Sequence, residues 1–165
     1  MQASASLKTL DTMPAHARVW VYKCATVLLP DQVARIVEAG RAFTRSWAAH
    51  GAALDACVEV LHDCFVVIAV DEEQAHASGC SIDKSVQFIQ AMERDLGLSL
   101  TDRMVIWYEK QSALQSIRVP DLPTALAKGE LSGDTIVFND LVSTRADLDR
   151  HFRSPLRDTW MARYL

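Results

Sequence analysis

The stretch Leu54-Asp-Ala-Cys-Val-Glu-Val-Leu-His-Asp-Cys-Phe-Val-Val-Ile-Ala-Val70 holds two unlike halves. In the first, Ala56, Val58 and Val60 alternate with Asp55, Cys57 and Glu59, the period of a strand with one buried face. The second, Cys64 to Val70, is almost continuously apolar, which fits a strand nearer the middle of a sheet. His62-Asp63 is the polar break between them. The stretch therefore reads as a β-hairpin whose second strand is the more central.

Working outward, Arg18-Val-Trp-Val-Tyr-Lys-Cys24 is aromatic and β-branched, as a strand requires. Leu29-Pro-Asp31 opens a helix in which Val33, Ile36, Val37, Gly40, Phe43 and Trp47 keep the 3.6-residue period, with Gly51 after His50 as its stop. Downstream, Ser78-Gly-Cys-Ser81 offers helix caps, Ile82, Val86, Ile89, Met92 and Leu96 keep helical spacing, and Gly97 ends the run. Arg103 to Glu109 is the next strand. The order β-α-β-β-α-β is that of a ferredoxin-like α+β fold, an antiparallel four-stranded sheet with two helices on one face. The two helices are read as parallel to each other, which would put the end of the first and the start of the second at opposite ends.

Beyond this core, a C-terminal α/β extension is expected. It consists of a strand at Ile117 to Pro120, a helical turn at Leu122 to Lys128, a strand at Thr135 to Asn139, and two helical pieces. The pieces open at the capping box Thr144-Arg-Ala-Asp147 and at Ser154-Pro155. Leu148, Phe152, Leu156, Trp160 and Tyr164 form a stripe spaced by four, suited to covering the sheet face that two helices leave open. Residues 1–17, with Leu7, Leu10 and Met13 as scattered apolar groups, read as an N-terminal tail, and 18–165 as a single α+β domain.

The chain has 165 residues, 50% apolar and 23% charged, enough for one globular core. Seventeen basic and 21 acidic residues give a net charge of −4. Between Arg145 and Leu165 five Arg are interleaved with three Asp. No basic stripe offers itself to phosphates, so nucleic acid is not expected as a partner. The longest apolar run falls far short of the roughly 20 residues that cross a bilayer, so neither is a membrane. Four irregularly spaced cysteines, Cys24, Cys57, Cys64 and Cys80, and the lack of an apolar leader point to reduced thiols in the cytoplasm.

Ser78-Gly-Cys-Ser-Ile-Asp-Lys84 is the segment richest in chemistry. A helix start lowers a thiol's pKa through its unpaired N–H groups and positive dipole end. Cys80 is therefore a candidate nucleophile, with His76 as its base. Ser78, Gly79, Ser81, Asp83 and Lys84 would line a ligand site, Lys84 as the contact for a phosphate or carboxylate. Asp83 opposes a thiolate. The structural alternative is a Ser cap beside a small buried Cys. Ser81-Ile-Asp-Lys84 also matches S-x-x-K, without the S-D-N or K-T-G elements that accompany it in β-lactamases.

Other groupings are weaker. Cys57, His62 and Cys64 lack zinc-ligand spacing. Asp71, Glu72 and Glu73 with Asp140 could hold Mg²⁺ but read as solvated loop acids, so neither metal nor cofactor is expected. Trp20 and Tyr22 on the first strand resemble base-stacking aromatics of RNA-recognition domains, yet Cys64 to Val70 lacks their K/R-G-F/Y-G/A pattern. The functional expectation is small-ligand or thiol-dependent chemistry at Ser78 to Lys84. The alternative is a non-catalytic interaction or regulatory module whose partner is a protein, a second copy of the chain included.

The segments Arg18-Val-Trp-Val-Tyr22, Trp47-Ala-Ala-His-Gly51, Ala77-Ser-Gly-Cys-Ser-Ile-Asp-Lys-Ser-Val86 and Thr135-Ile-Val-Phe-Asn139 resemble those of a family of uncharacterised bacterial proteins of about this length. The resemblance spans nearly the whole chain and implies a shared fold and a bacterial setting. It supplies no catalytic residues. Some members are labelled transporter ATPases, but the G-x-x-x-x-G-K-[ST] loop that such chemistry needs occurs nowhere in this sequence.

Overall fold

A computed structural model of the chain describes residues 8–73 and 75–165. The strands are β1 (Arg18–Lys23), β2 (Ala48–Ala49), β3 (Ala52–Ala53), β4 (Asp55–Leu61), β5 (Phe65–Asp71), β6 (Val105–Lys110), β7 (Ala113–Arg118), β8 (Ile136–Phe138) and β9 (Arg153–Pro155). The α-helices are α1 (Pro30–Ser46), α2 (Gly79–Leu96), α3 (Leu122–Ala127) and α4 (Arg145–His151). With antiparallel pairing throughout, the class is α+β. No described helix is long and apolar enough to cross a membrane.

Sheet one has the order β1-β5-β4, with Trp20 opposite Ile68 and Val58 opposite the same residue. Its middle strand is the apolar half of the hairpin. Val66, Ile68 and Val70 face α1 and α2, packing with Ile36, Phe88 and Ile89. Phe65, Val67 and Ala69 face the other way, against Val105, Trp107 and Phe138 of sheet two. Burial on both faces removes the polar alternation that a half-exposed antiparallel strand would show. Gly40 allows α1 to sit tightly on this sheet, because a Cβ there would lie 2.6 Å from the Val58 Cβ.

Sheet two has the order β7-β6-β8-β9. Its outer face is covered by α3 and the C-terminal turns, with Ile106, Leu122, Val137, Leu156 and Met161 packed together. The layers therefore run helices, sheet one, sheet two, helix and turns. A single four-stranded sheet would need β6 beside β1, whereas β6 pairs with β7 and β8. β1 is left as an edge of sheet one.

Several local expectations are corrected. α1 ends at Ser46, and His50-Gly51, with φ of 52° and 78°, is the two-residue turn of the β2–β3 hairpin, where both positions need positive φ. α1 and α2 do not set the end of one far from the start of the other. Because β1 and β5 are antiparallel, the helices that follow them run oppositely, and Trp47 Nε1 at the end of α1 donates to Ser81 O at the start of α2, 2.8 Å away.

The strand expected at Ile117 begins earlier, at Ala113, through a Gln111-Ser112 turn with φ of 51° and 62°. Ser154-Pro155 opens no α-helix: Ser154 pairs with Val137 in β9, the proline ends a three-residue edge strand, a place that tolerates it, and a 3₁₀ turn, Leu156–Asp158, follows. The C-terminal stripe is accordingly divided. Leu148 and Phe152 fill the space between the sheets, and Leu156, Trp160 and Tyr164 cover the outer face of sheet two. Within the N-terminal segment, Leu10, Met13 and Ala17 are buried in the inter-sheet core, and Leu7 lies outside the described residues.

Candidate functional site

The start of α2 is a reciprocal cap. Ser81 N–H donates to Ser78 Oγ (3.2 Å), Ser78 N–H donates to Ser81 Oγ (2.6 Å), and Ser81 Oγ–H donates to Ser78 O (2.8 Å). Ser81 is 1% exposed, and its carbonyl takes the Trp47 indole N–H. Both hydroxyls are thus engaged in holding the helix, which leaves Ser81 no freedom as a nucleophile and Ser78 little as a ligand contact.

The remaining residues of that segment, His76, Gly79, Cys80, Asp83 and Lys84, are exposed. Among the described residues no hydrogen bond or ion pair joins Cys80 to His76, Lys84 or His50. Cys80 differs from the other three thiols, which are buried. Burial, reinforced by the charges of Glu59 and Asp55, pushes the Cys57 thiol up to about 12. Burial, reinforced by Cys24 and Asp63, pushes the Cys64 thiol up to about 12.

The metal groupings are separated. Cys57 and Cys64 lie in the inter-sheet core, while His62 packs its ring 4.9 Å from that of Phe138. Lys23 Nζ takes up Asp140 (3.0 Å), and Glu72 accepts from Ala77 N–H (2.9 Å) beside Arg18 (3.8 Å). His16, Asp71 and Glu73 do come together, their ligand atoms within 4.8 Å of one another. There His16 Nε2 and Glu73 N–H both bond Asp71 Oδ1, at 3.1 and 3.0 Å.

A groove of about 570 Å³ follows the open edge of β1, walled by Val86 and Gln90 of α2, by Leu100 to Arg103, and by Asp140 to Ser143. Cys24 N–H donates to Cys64 O (2.7 Å), so even-numbered residues of this strand turn their backbone toward β5 and odd-numbered ones away. Of the latter, Val19 N–H donates to Ser143 O (3.0 Å), and Ala25 N–H, just past the strand, to Ser99 O (3.3 Å). Between these two points the N–H and C=O of Val21 and of Lys23 have no partner among the described residues.

Side chains of both signs stand along this edge. Lys23, 5% exposed, also donates to Arg103 O (3.4 Å). Asp140 Oδ1 is buried without a hydrogen-bond partner among the described residues. Arg103 is exposed and has no ion pair among them. Burial raises the Tyr22 hydroxyl above its usual range, and the positive charge of Arg103 works against that rise. Trp20 lies between the Arg18 guanidinium, 4.7 Å from its ring, and Trp47 at 6.3 Å.

The opposite edge, β4, lies in a second groove of about 510 Å³ under α1, lined by Val37, Arg41, Thr44 and Arg45. Lys8 bonds Asp55 (3.0 Å) at its end, and Leu10 N–H donates to Glu59 (3.2 Å). Sequence reasoning missed both grooves. Its one available signal was Lys23, a charge closing an otherwise apolar strand. The face on which an RNA-recognition domain would stack bases is covered here by sheet two, and Trp20 and Tyr22 point instead to the helix side. No family model, curated protein or solved structure matches the chain.

Proposed function

We propose that the protein is a non-catalytic interaction module that binds through the open edge of β1. The observation that carries this reading is the pair of backbone groups on Val21, which line a groove and have no partner among the described residues. Unpaired edge groups are a template for another strand, and addition of an extended segment to such an edge is a recurring mode of peptide recognition. In this reading β1, α1, β4, β5 and α2 are a ferredoxin-like half whose fourth-strand place is taken by no described strand, because β6 belongs to sheet two. Three buried free thiols agree with a cytoplasmic setting, and the resemblance noted above supports a bacterial one.

The test is a photo-crosslinking side chain at Thr101, exposed on the groove wall, introduced in the cells that make the protein. A discrete adduct, lost when Val21→Pro removes the free N–H, is the expected result. Adduct formation that Val21→Pro leaves unchanged would count against the β1 edge. The reading of thiol chemistry at Cys80 retains one observation, the exposure of that thiol beside a helix start. Full ligand binding and activity in Cys80→Ala would remove it.

A further inference from the structure

Resting on that reading, we infer that the β1 groove takes an extended peptide segment as an antiparallel strand, bearing a carboxylate two residues before an apolar side chain. The recess decides the type of occupant. Residues of α2 and of the 100–103 and 140–143 segments line the groove beside β1, so a second folded copy, carrying the same lining along its own β1, cannot easily bring its edge to within the roughly 4.8 Å of strand pairing. A single extended chain can. The open window runs from Val19 C=O to Lys23, closed at one end by Ser143 and at the other by Ser99.

Direction follows from the strand already started there. Arg18 and Thr144 form an isolated antiparallel bridge, with Arg145 N–H donating to Ala17 O at 2.8 Å. A segment continuing along the same line is antiparallel to β1 and exchanges two hydrogen bonds with Val21. Its residue opposite Val21 points to the sheet-two side, near Val142. Its neighbours on either side point to the helix side, one opposite Trp20 and one opposite Tyr22.

These two positions differ chemically. The one at Tyr22 is next to Arg103, which lines the same groove, is exposed and has no ion pair among the described residues. The one at Trp20 meets an indole and the α2 wall at Val86, and the Arg18 guanidinium over that indole is already paired with Glu72 at 3.8 Å. Because the peptide runs antiparallel, its acid precedes its apolar residue. Of the chain's own edges, β7, Ala-Leu-Gln-Ser-Ile-Arg118, contains no acid and is a poor match for Arg103, and β4 has its Asp55 and Glu59 bonded to Lys8 and Leu10 N–H in the groove under α1.

A phage-displayed library of random dodecapeptides, panned on the full chain and counter-panned on Val21→Pro, tests the assignment. The expected result is enrichment of an acid-x-apolar pattern on the unaltered chain only. A labelled synthetic copy of the enriched peptide should lose at least about tenfold in affinity on N-methylation of the amide facing Val21 C=O, a modification that does not touch the protein. It should weaken about fivefold or more with Arg103→Glu and recover when its acid is exchanged for Lys.

Equal enrichment on a folded Val21→Pro protein overturns the assignment, as does an N-methyl peptide that binds unchanged. Absence of enriched peptides together with a Val21→Pro-sensitive crosslink at Thr101 overturns the peptide assignment and leaves the interaction reading standing. Absence of both overturns the two together.

Discussion

The start of α2 and the edge of β1 are both dense in polar groups, and they differ in how those groups are satisfied. At α2, Ser78 and Ser81 bond each other four times and Trp47 closes the remaining carbonyl. At β1, Val21 has no backbone partner on its outer side among the described residues and Asp140 Oδ1 has none in its buried pocket. A group paired within the fold has its hydrogen bond already made, whereas an edge group left to solvent can exchange water for a partner's hydrogen bond. Of the residues most suggestive in the sequence, Ser78 and Ser81 are thus taken up by the cap, while His76, Cys80, Asp83 and Lys84 stay exposed.

Loss of the buried ion pair beside β1 should cost the most stability. Lys23→Ala would leave Asp140 buried with neither oxygen paired to the amine, at a cost of roughly 3–5 kcal/mol in chemical denaturation. Lys23→Met with Asp140→Leu should recover most of it, since an apolar replacement of a buried ion pair is often neutral or stabilising. A double variant as unstable as the single one would show that the pair itself holds the loop at Asp140 against β1.

Next comes Ser81→Ala, expected to destabilise by about 1–3 kcal/mol, because Ser78 N–H loses its acceptor on a buried side chain and Ser78 O its donor. Val21→Pro sharpens the contrast: it removes an N–H that bonds nothing within the described residues, on an edge strand that tolerates proline, and should cost about 1 kcal/mol or less. Thermal midpoints that fall equally for Ser81→Ala and Val21→Pro would erase the distinction between the two regions.

The difference in legibility between these regions has a physical origin. Caps, helix periodicity and the unlike halves of the 54–70 hairpin are local patterns, and both helices and β4–β5 were visible in them. Gln111-Ser112 was not, because its positive φ values occur without the Gly or Asn that usually signals such a turn. Ser154-Pro155 has the composition of a helix start but is claimed by Val137, a long-range pairing that local preference does not contain. Which strand becomes an edge is long-range in the same sense. Neither Lys23 meeting Asp140 nor β6 leaving β1 for β7 and β8 follows from the residues near β1.

A further effect is silent near neutrality. Cys57 and Cys64 have folded pKa values pushed up to about 12, above the roughly 8.5 of a free thiol in the unfolded chain. The unfolded state therefore binds fewer protons once its thiols ionise, and the sign of the linkage makes stability fall as pH rises. The contribution is fully present below about 8.5 and is lost progressively up to about 12. Urea melts between pH 8 and 11 should show a steeper decline for the unaltered chain than for Cys57→Ala with Cys64→Ala, with Lys and Tyr titration common to both. Parallel declines would mean that the two thiols ionise in the folded state.

Cys80 should give the smallest effect on stability and the sharpest contrast among the thiols. It is the exposed member of the four and makes no contact on which the α2 cap depends, so Cys80→Ser should change stability by no more than about 0.5 kcal/mol. In the folded protein one equivalent of iodoacetamide should react quickly and the other three only on unfolding, with Cys80→Ser abolishing the fast phase. If Cys80→Ser instead destabilised the chain as much as Ser81→Ala, the thiol would belong to the cap, and all of this helix start would be structure. If it left stability alone but slowed a turnover or weakened a ligand, the exposed end of α2 would be a site after all. The contrast with β1 would then be between two sites, one offering a thiol and the other a backbone.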